Sequence, residues 1–269
     1  MKNIIIILFL GFLFLTGCSN NKGYKFVKEI KLEGMNPISA AVGKTGIWVS
    51  DSKNNRVIKI NESGKILEEF NDFKRPMHIS LFKGKVYIPE FLNDSIKVIG
   101  NGKVLNFNLG IKPNAPAGID VSGSFIAVAD FYNHRIIVKN GDSTYTIGKK
   151  GHKNGELFYP TDVKIVKDKI VVADAYNNRV QVFNREGKFI SAIGEKDSIK
   201  VATGIDADAN EILVTDSGNN RVLIYNWKGK RIGTLTKSLN YPIDVFIDRD
   251  EILISNFYKG IISVYRKIR

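Results

Sequence analysis

Six nine-residue segments of this 269-residue chain align without gaps, beginning at Val49, Ile88, Val128, Val172, Val214 and Ile254. Each carries an acid or amide at its third position: Asp51, Glu90, Asp130, Asp174, Asp216 and Asn256. Successive copies lie 39 to 44 residues apart. A proline stands 14 residues ahead of that position in five copies (Pro37, Pro76, Pro116, Pro160 and Pro242), with Ala202 in the remaining one. Five of the seven prolines are used this way. A period of this length restricts the fold to an array of like units, each too small to bury its own hydrophobic faces.

Within a period the pattern reads as four short strands. In the fourth they are Asp162 to Val166, Lys169 to Ala173, Arg179 to Asn184 and Lys188 to Ile193. They are rich in Val, Ile and Phe and are separated by turn residues such as Tyr-Asn-Asn and Arg-Glu-Gly. No segment after the first 15 residues sustains a helical period. The expectation is an all-β, six-bladed propeller of four-stranded antiparallel blades. The sixth repeat ends in its third strand, near Ser263-Val264-Tyr265, while Tyr24 to Lys31 reads like the fourth strand at Gly187 to Ile193. The N-terminal strand is therefore expected to complete the last blade, which leaves no open sheet edge.

The repeats resemble those of the NHL-repeat family, whose signature Asp-x-x-Asn-Asn-Arg-Val is cleanest at Asp174 to Asn184 and Asp216 to Asn226. The glycine-rich run Gly148-x-x-Gly151-x-x-x-Gly155-x-x-Phe158-x-Pro160 matches the family's approach to a blade once. The resemblance covers residues 24–269. Blades two and six depart from it at Ser95 and Ile261, where arginine is expected.

The first residues read as an address. Ile4 to Leu15 is an apolar run of signal-peptide length, too short to span a bilayer, and it leads to Leu15-Thr16-Gly17-Cys18. That tetrad resembles the bacterial lipobox, which implies cleavage after residue 17 and acylation of Cys18. It is the only cysteine, so no intramolecular disulfide can form. The implied organisation is a signal over 1–17, a lipidated cysteine and tether over 18–23, and a propeller over 24–269. The chain would then sit in the bacterial cell envelope outside the cytoplasm, held to the membrane through its lipid. Ser19 in place of aspartate leans toward the outer membrane where the host has one.

The repeated Asp and Asn residues suit turns, because their side chains bond nearby backbone and tolerate left-handed conformations. Arg56, Arg135, Arg179 and Arg221 either line a basic face or pair with carboxylates and carbonyls. Positions that vary between repeats are more informative. Twelve residues before each repeated acid lie Ser39, His78, Gly118, Asp162, Gly204 and Asp244, the start of the innermost strand and hence a ring at one channel mouth. His78, Asp162 and Asp244 are the members able to hold a ligand or a cation. Just after the repeated acid come Phe91, Phe131, Tyr132, Tyr176, Phe257 and Tyr258, an aromatic rim suited to a sugar, peptide or partner loop, or to packing on the next blade. The ligand candidates are thus His78, Asp162, Asp244, Phe131, Tyr132, Tyr176, Phe257, Tyr258, Arg135 and Arg179. His134 and His152 show no partner in the sequence.

The expected function is a non-catalytic binding propeller for a protein, peptide or carbohydrate, with no cofactor and no catalytic residue. The alternative is a metal-dependent enzyme at the channel mouth, with one divalent ion on His78, Asp162 and Asp244. The resemblance brings in amidating lyases and lactonases, which hold metals there, but this ring has one histidine rather than three. The net charge of +13 would suit nucleic acid, yet a lipoprotein faces away from cytosolic RNA. Solubility or contact with anionic envelope surfaces is the expected use of the charge. Ser50-x-x-Lys53 and Lys44-Thr45-Gly46 stand in the wrong order and too close together for penicillin-recognising chemistry, and no P-loop or His-Glu-x-x-His occurs.

Overall fold

The computed structural model describes residues 23–268. Cys18 and the signal lie outside the described residues. Six four-stranded antiparallel sheets are arranged as blades. Their innermost strands are Pro37–Gly43, Ser80–Phe82, Pro116–Ser122, Asp162–Val166, Ala202–Ala207 and Pro242–Asp248. The fourth blade follows the sequence reading closely, with strands at Asp162–Val166, Lys169–Asp174, Arg179–Asn184 and Phe189–Ile193. Among the described residues the helical elements are 3₁₀ turns: Phe131–Asn133, Ala175–Asn177 and Ser217–Asn219.

Each blade is covered on both faces by its neighbours, so its middle strands read as apolar runs rather than alternating ones. Ile170, Val171, Val172 and Ala173 are all fully buried. The core is accordingly divided into an apolar layer between each pair of adjacent blades. A small axial cluster of Ile38, Met77 and Ala117 joins them.

The ring closes as the sequence suggests. Tyr24–Lys31 pairs antiparallel with Ile261–Lys267, from Tyr24 opposite Lys267 to Lys31 opposite Ile261. At its far end the Gly23 carbonyl accepts from Ile268 N at 2.7 Å. The Tyr24 hydroxyl donates to Glu211 Oε1 in the fifth blade at 2.5 Å, and Lys267 Nζ reaches the same oxygen at 3.1 Å. Burial, reinforced by that carboxylate, pushes the Tyr24 phenol far above its ordinary pKa.

The conserved spacing of the prolines has a local cause. Proline has no N–H to give a ladder, so the first residue of a strand tolerates it. The register then slips by one just after Pro37, Pro116 and Pro242. A bulge of this kind re-aims the side chains that follow it, here toward the channel.

Candidate functional site

The repeated acids are fully buried and make the same contacts in blade after blade. Asp174 Oδ1 accepts from Phe158 N at 2.7 Å, and its Oδ2 accepts from Asn177 Nδ2 at 2.8 Å and Arg179 Nε at 3.0 Å. Asp51, Asp130 and Asp216 repeat this with Asn54 and Arg56, Asn133 and Arg135, and Asn219 and Arg221. Arg179 is 5% exposed, and its Nη2 donates to the carbonyls of His152 and Lys153. The structure thus places Arg135 and Arg179 in ion pairs that hold turns. Arg179 Nη1 also lies 3.2 Å from Glu195 Oε1. In blade two, where Ser95 replaces arginine, Lys97 Nζ stands 3.1 Å from Glu90 and supplies the cation. Hydrogen bonds from Asn93, Ser95, Lys97 and the Lys74 backbone outweigh burial and hold the Glu90 carboxyl below its usual range. In blade six Ile261 replaces arginine, and the buried group is neutral Asn256, bonded to Ser263 Oγ at 3.0 Å and accepting from Asn240 N at 2.8 Å.

The last residue of the turn links neighbouring blades in four cases. Asn55, Asp94, His134 and Asn220 are all left-handed, with φ between 49° and 54°. Their side chains accept from the backbone N–H of Arg75, Ala115, Tyr159 and Tyr241 in the next repeat, at 2.6 to 3.1 Å. Each acceptor's partner immediately precedes a proline and itself has positive φ, a conformation disfavoured before proline. The latch offsets that cost. His134 plays the asparagine's part through Nδ1, and burial and nearby Lys150 lower its pKa. His152 also has a partner, with Nδ1 2.6 Å from Asn177 Oδ1.

Around the same end lies the aromatic rim. Tyr132, Tyr176 and Tyr258 are 51%, 59% and 67% exposed. Phe131 contacts Phe91, Tyr132 and Tyr159 with ring centroids 5.5, 5.1 and 4.9 Å apart, and Tyr159 contacts Tyr176 at 5.0 Å. His134 extends the ladder by stacking on Phe158 at 5.2 Å. Tyr241, Phe257 and Tyr258 form a second, smaller group across the mouth. Phe131 and Phe257 pack inward on the axial cluster of Ile38, Met77 and Ala117.

His78, Asp162 and Asp244 come together on the axis. His78 Nδ1 lies 3.3 Å from Asp244 Oδ1 and 3.7 Å from Asp162 Oδ2. One ligand atom from each residue lies within 4.8 Å of the others. They come from blades two, four and six, and the alternate positions are small. A Cβ on Gly118 would lie 2.6 Å from Asp162 Oδ1, and one on Gly204 would lie 2.6 Å from Asp244 Cα. Glycine there makes room for the acids. The depth differs from the expectation. The triad is only 3–6% exposed, below the mouth rather than at it. Ile38, Met77, Ala117 and Ile243, one residue nearer the aromatic end on each strand, pack over the axis. The cavity the triad lines, about 280 Å³, continues the other way past Ser80, Asp120, Lys164 and Asp206 to Phe82 and Ser122.

Burial and the neighbouring Asp244 raise the Asp162 carboxyl to about 7 against the pull of His78. For His78, burial lowers the pKa, but the two carboxylates outweigh it and leave it raised. One layer down, Lys164 Nζ sits 2.9 Å from Asp206 Oδ1 and 3.8 Å from Asp120 Oδ1. Despite burial, these acids hold it well above the ordinary lysine range. Several acids also join blades, accepting backbone N–H groups of the next inner strand: Ile165 on Asp120, Ile205 on Asp162 and Ile247 on Asp206. Sequence reasoning missed this second layer, Tyr159 and the role of His134. The layer lies two residues after each ring position, as strand alternation requires.

This is a six-bladed β-propeller by topology. Comparison with known proteins agrees. The family described as DUF5128, 6-bladed beta-propeller, matches residues 152–243. The brain tumor protein of Drosophila melanogaster is 33% identical over 85 residues, covering 29% of this chain and 8% of that protein. Lin-41 of Caenorhabditis elegans is 45% identical over 47 residues, covering 17% and 4%. The chain thus spans less than a tenth of the length of these relatives. Among solved structures, a streptogramin B lyase superposes with TM-score 0.68 at 16% identity, covering 92% of this chain and 88% of that one. Virginiamycin B lyase from Staphylococcus aureus gives 0.67 at 16%, covering 91% and 100%. At this identity the likeness is one of fold.

Proposed function

We propose that this chain is a bacterial envelope lipoprotein, anchored through acylated Cys18, that captures a protein, peptide or carbohydrate on the aromatic end of its propeller. The observation that carries the reading is the set of exposed tyrosines, Tyr132, Tyr176 and Tyr258, at equivalent positions of three blades. Exposed aromatic rings offer apolar area at low conformational cost, and each tyrosine adds a polar tip. Arg75 lies 4.7 Å over the Phe91 ring at the edge of the ladder. No nucleic acid is part of the reading. The basic charge is assigned to contact with anionic envelope surfaces, with the outer membrane favoured where one exists.

The test replaces Tyr132, Tyr176 and Tyr258 together by alanine. Ligand capture from envelope extracts and glycan arrays is expected to disappear while Tm stays within about 2 °C of wild type. Capture that survives the triple change counts against this reading, and joint loss of capture and stability assigns the rings to packing.

A second reading, a metal-dependent lyase, is supported by the convergence of His78, Asp162 and Asp244. Substrate would have to enter the channel from the end away from the aromatic rim. Turnover of a streptogramin B antibiotic by the full chain, abolished in His78→Ala, would support it.

A further inference from the structure

We propose that the axial cluster of His78, Asp162 and Asp244 is a binding site for one divalent cation of the Zn²⁺ or Mn²⁺ class, a structural pin that ties blades two, four and six together beneath the apolar layer.

Three observations on the wild-type geometry converge. First, His78 is 97% buried by its 3% exposure, and Nδ1 makes no hydrogen bond. The nearest carboxylate oxygen, 3.3 Å away, lacks hydrogen-bond geometry. A buried ring nitrogen without a partner is costly, and here it is aimed between two carboxylates. Second, the spacings suit coordination. Ligands about 2.0–2.4 Å from a shared ion lie roughly 3.0–3.7 Å apart when adjacent and up to about 4.8 Å when opposite; the two separations from His78 Nδ1 are 3.3 and 3.7 Å, and the ligand atoms of all three residues lie within 4.8 Å of one another. Third, the cavity is rich in acids. Asp120, Asp162, Asp206 and Asp244 line one cavity with Lys164 as its ammonium. Lys164 is engaged by Asp120 and Asp206 in the lower layer. The upper layer repeats the arrangement of two carboxylates across the axis, with an imidazole in place of the ammonium. One nitrogen and two carboxylate ligands fit a borderline or moderately hard ion better than Ca²⁺, which takes oxygen alone. The space beside the triad can hold the waters that complete its shell. The ion sits beneath Ile38, Met77 and Ala117, so its role does not depend on the aromatic face or on turnover.

The test uses the full chain in detergent, stripped with a chelator and then dialysed against Zn²⁺, Mn²⁺ or Ca²⁺. Metal per chain is measured by elemental analysis, and Tm by calorimetry. The expected result is one ion per chain with Zn²⁺ or Mn²⁺, a Tm higher by roughly 5–10 °C at 100 times Kd, and loss of both in Asp244→Asn. That change keeps the shape of the side chain and removes its charge. Should it fail to fold, the wild type answers alone. With ¹⁵N-histidine labelling, Mn²⁺ should broaden the His78 resonances beyond detection at one equivalent and spare those of His134 and His152. Retention of the ion by folded Asp244→Asn, equal broadening of all three histidines, or a Tm that no ion moves would each overturn the proposal. None of these outcomes bears on ligand capture by the tyrosines.

Discussion

At the scale of single residues, the chain substitutes one chemistry for another without changing a contact. His134 accepts the Tyr159 N–H where other blades use asparagine or aspartate, and only the neutral ring can do so. Its pKa is lowered in the fold, so between that value and about 6.5 the unfolded chain holds more protons. Stability is then expected to fall as pH drops below about 6.5. His134→Asn should keep the latch and remove this part of the pH dependence, which urea unfolding at pH 5 to 8 will show. Gly204 is tied to its neighbour by volume. Gly204→Ala places a Cβ 2.5 Å from the Ile243 carbonyl and 2.6 Å from Asp244 Cα. A loss of roughly 1–3 kcal/mol, read by the same unfolding curves, is the expected cost. The identity of the ring residues was legible from the repeat, because residues at equivalent positions must face the same axis. Their depth was not. It is set by Ile38, Met77 and Ala117, which belong to three different repeats and meet only in the folded ring.

At the scale of the element, the acid–asparagine–arginine turn is a unit whose charge is balanced wherever it varies. Blade two moves its cation from position 95 to Lys97. Blade six discards both charges at once, with Asn256 and Ile261. Asn256→Asp alone should therefore bury an unpaired carboxylate and cost about 3–5 kcal/mol. Adding Ile261→Arg should recover most of that. A double-mutant cycle by denaturant unfolding measures the coupling, and additive effects would mean that the two positions are independent. The turn itself could be read from the sequence, since aspartate and asparagine favour it by local bonding. The pairing of Arg179 with the carbonyls of His152 and Lys153 could not. Those carbonyls lie in the loop ahead of the blade, as do the Asp197 and Ser198 carbonyls that Arg221 takes, and the loop's path is fixed only in the folded ring.

At the scale of the molecule, the period of 39 to 44 residues made the ring and its closure legible, since three strands in the last repeat and one ahead of the first leave a single arrangement without an open edge. Removing residues 24–31 should expose the Ile261–Lys267 edge and the apolar surface that Tyr24 and Ile30 cover. Broadened thermal unfolding and larger species in light scattering are expected. The closing pair has a further, mechanical consequence. Any pull on the chain ahead of Gly23 reaches the ring where Ile268 bonds Gly23 and Tyr24 faces Lys267. From that end an antiparallel pair opens like a zipper, with the load falling on one bridge at a time. The Tyr24–Glu211–Lys267 clamp stands at the first tooth, and it passes tension into the fifth blade before the seam can begin to part.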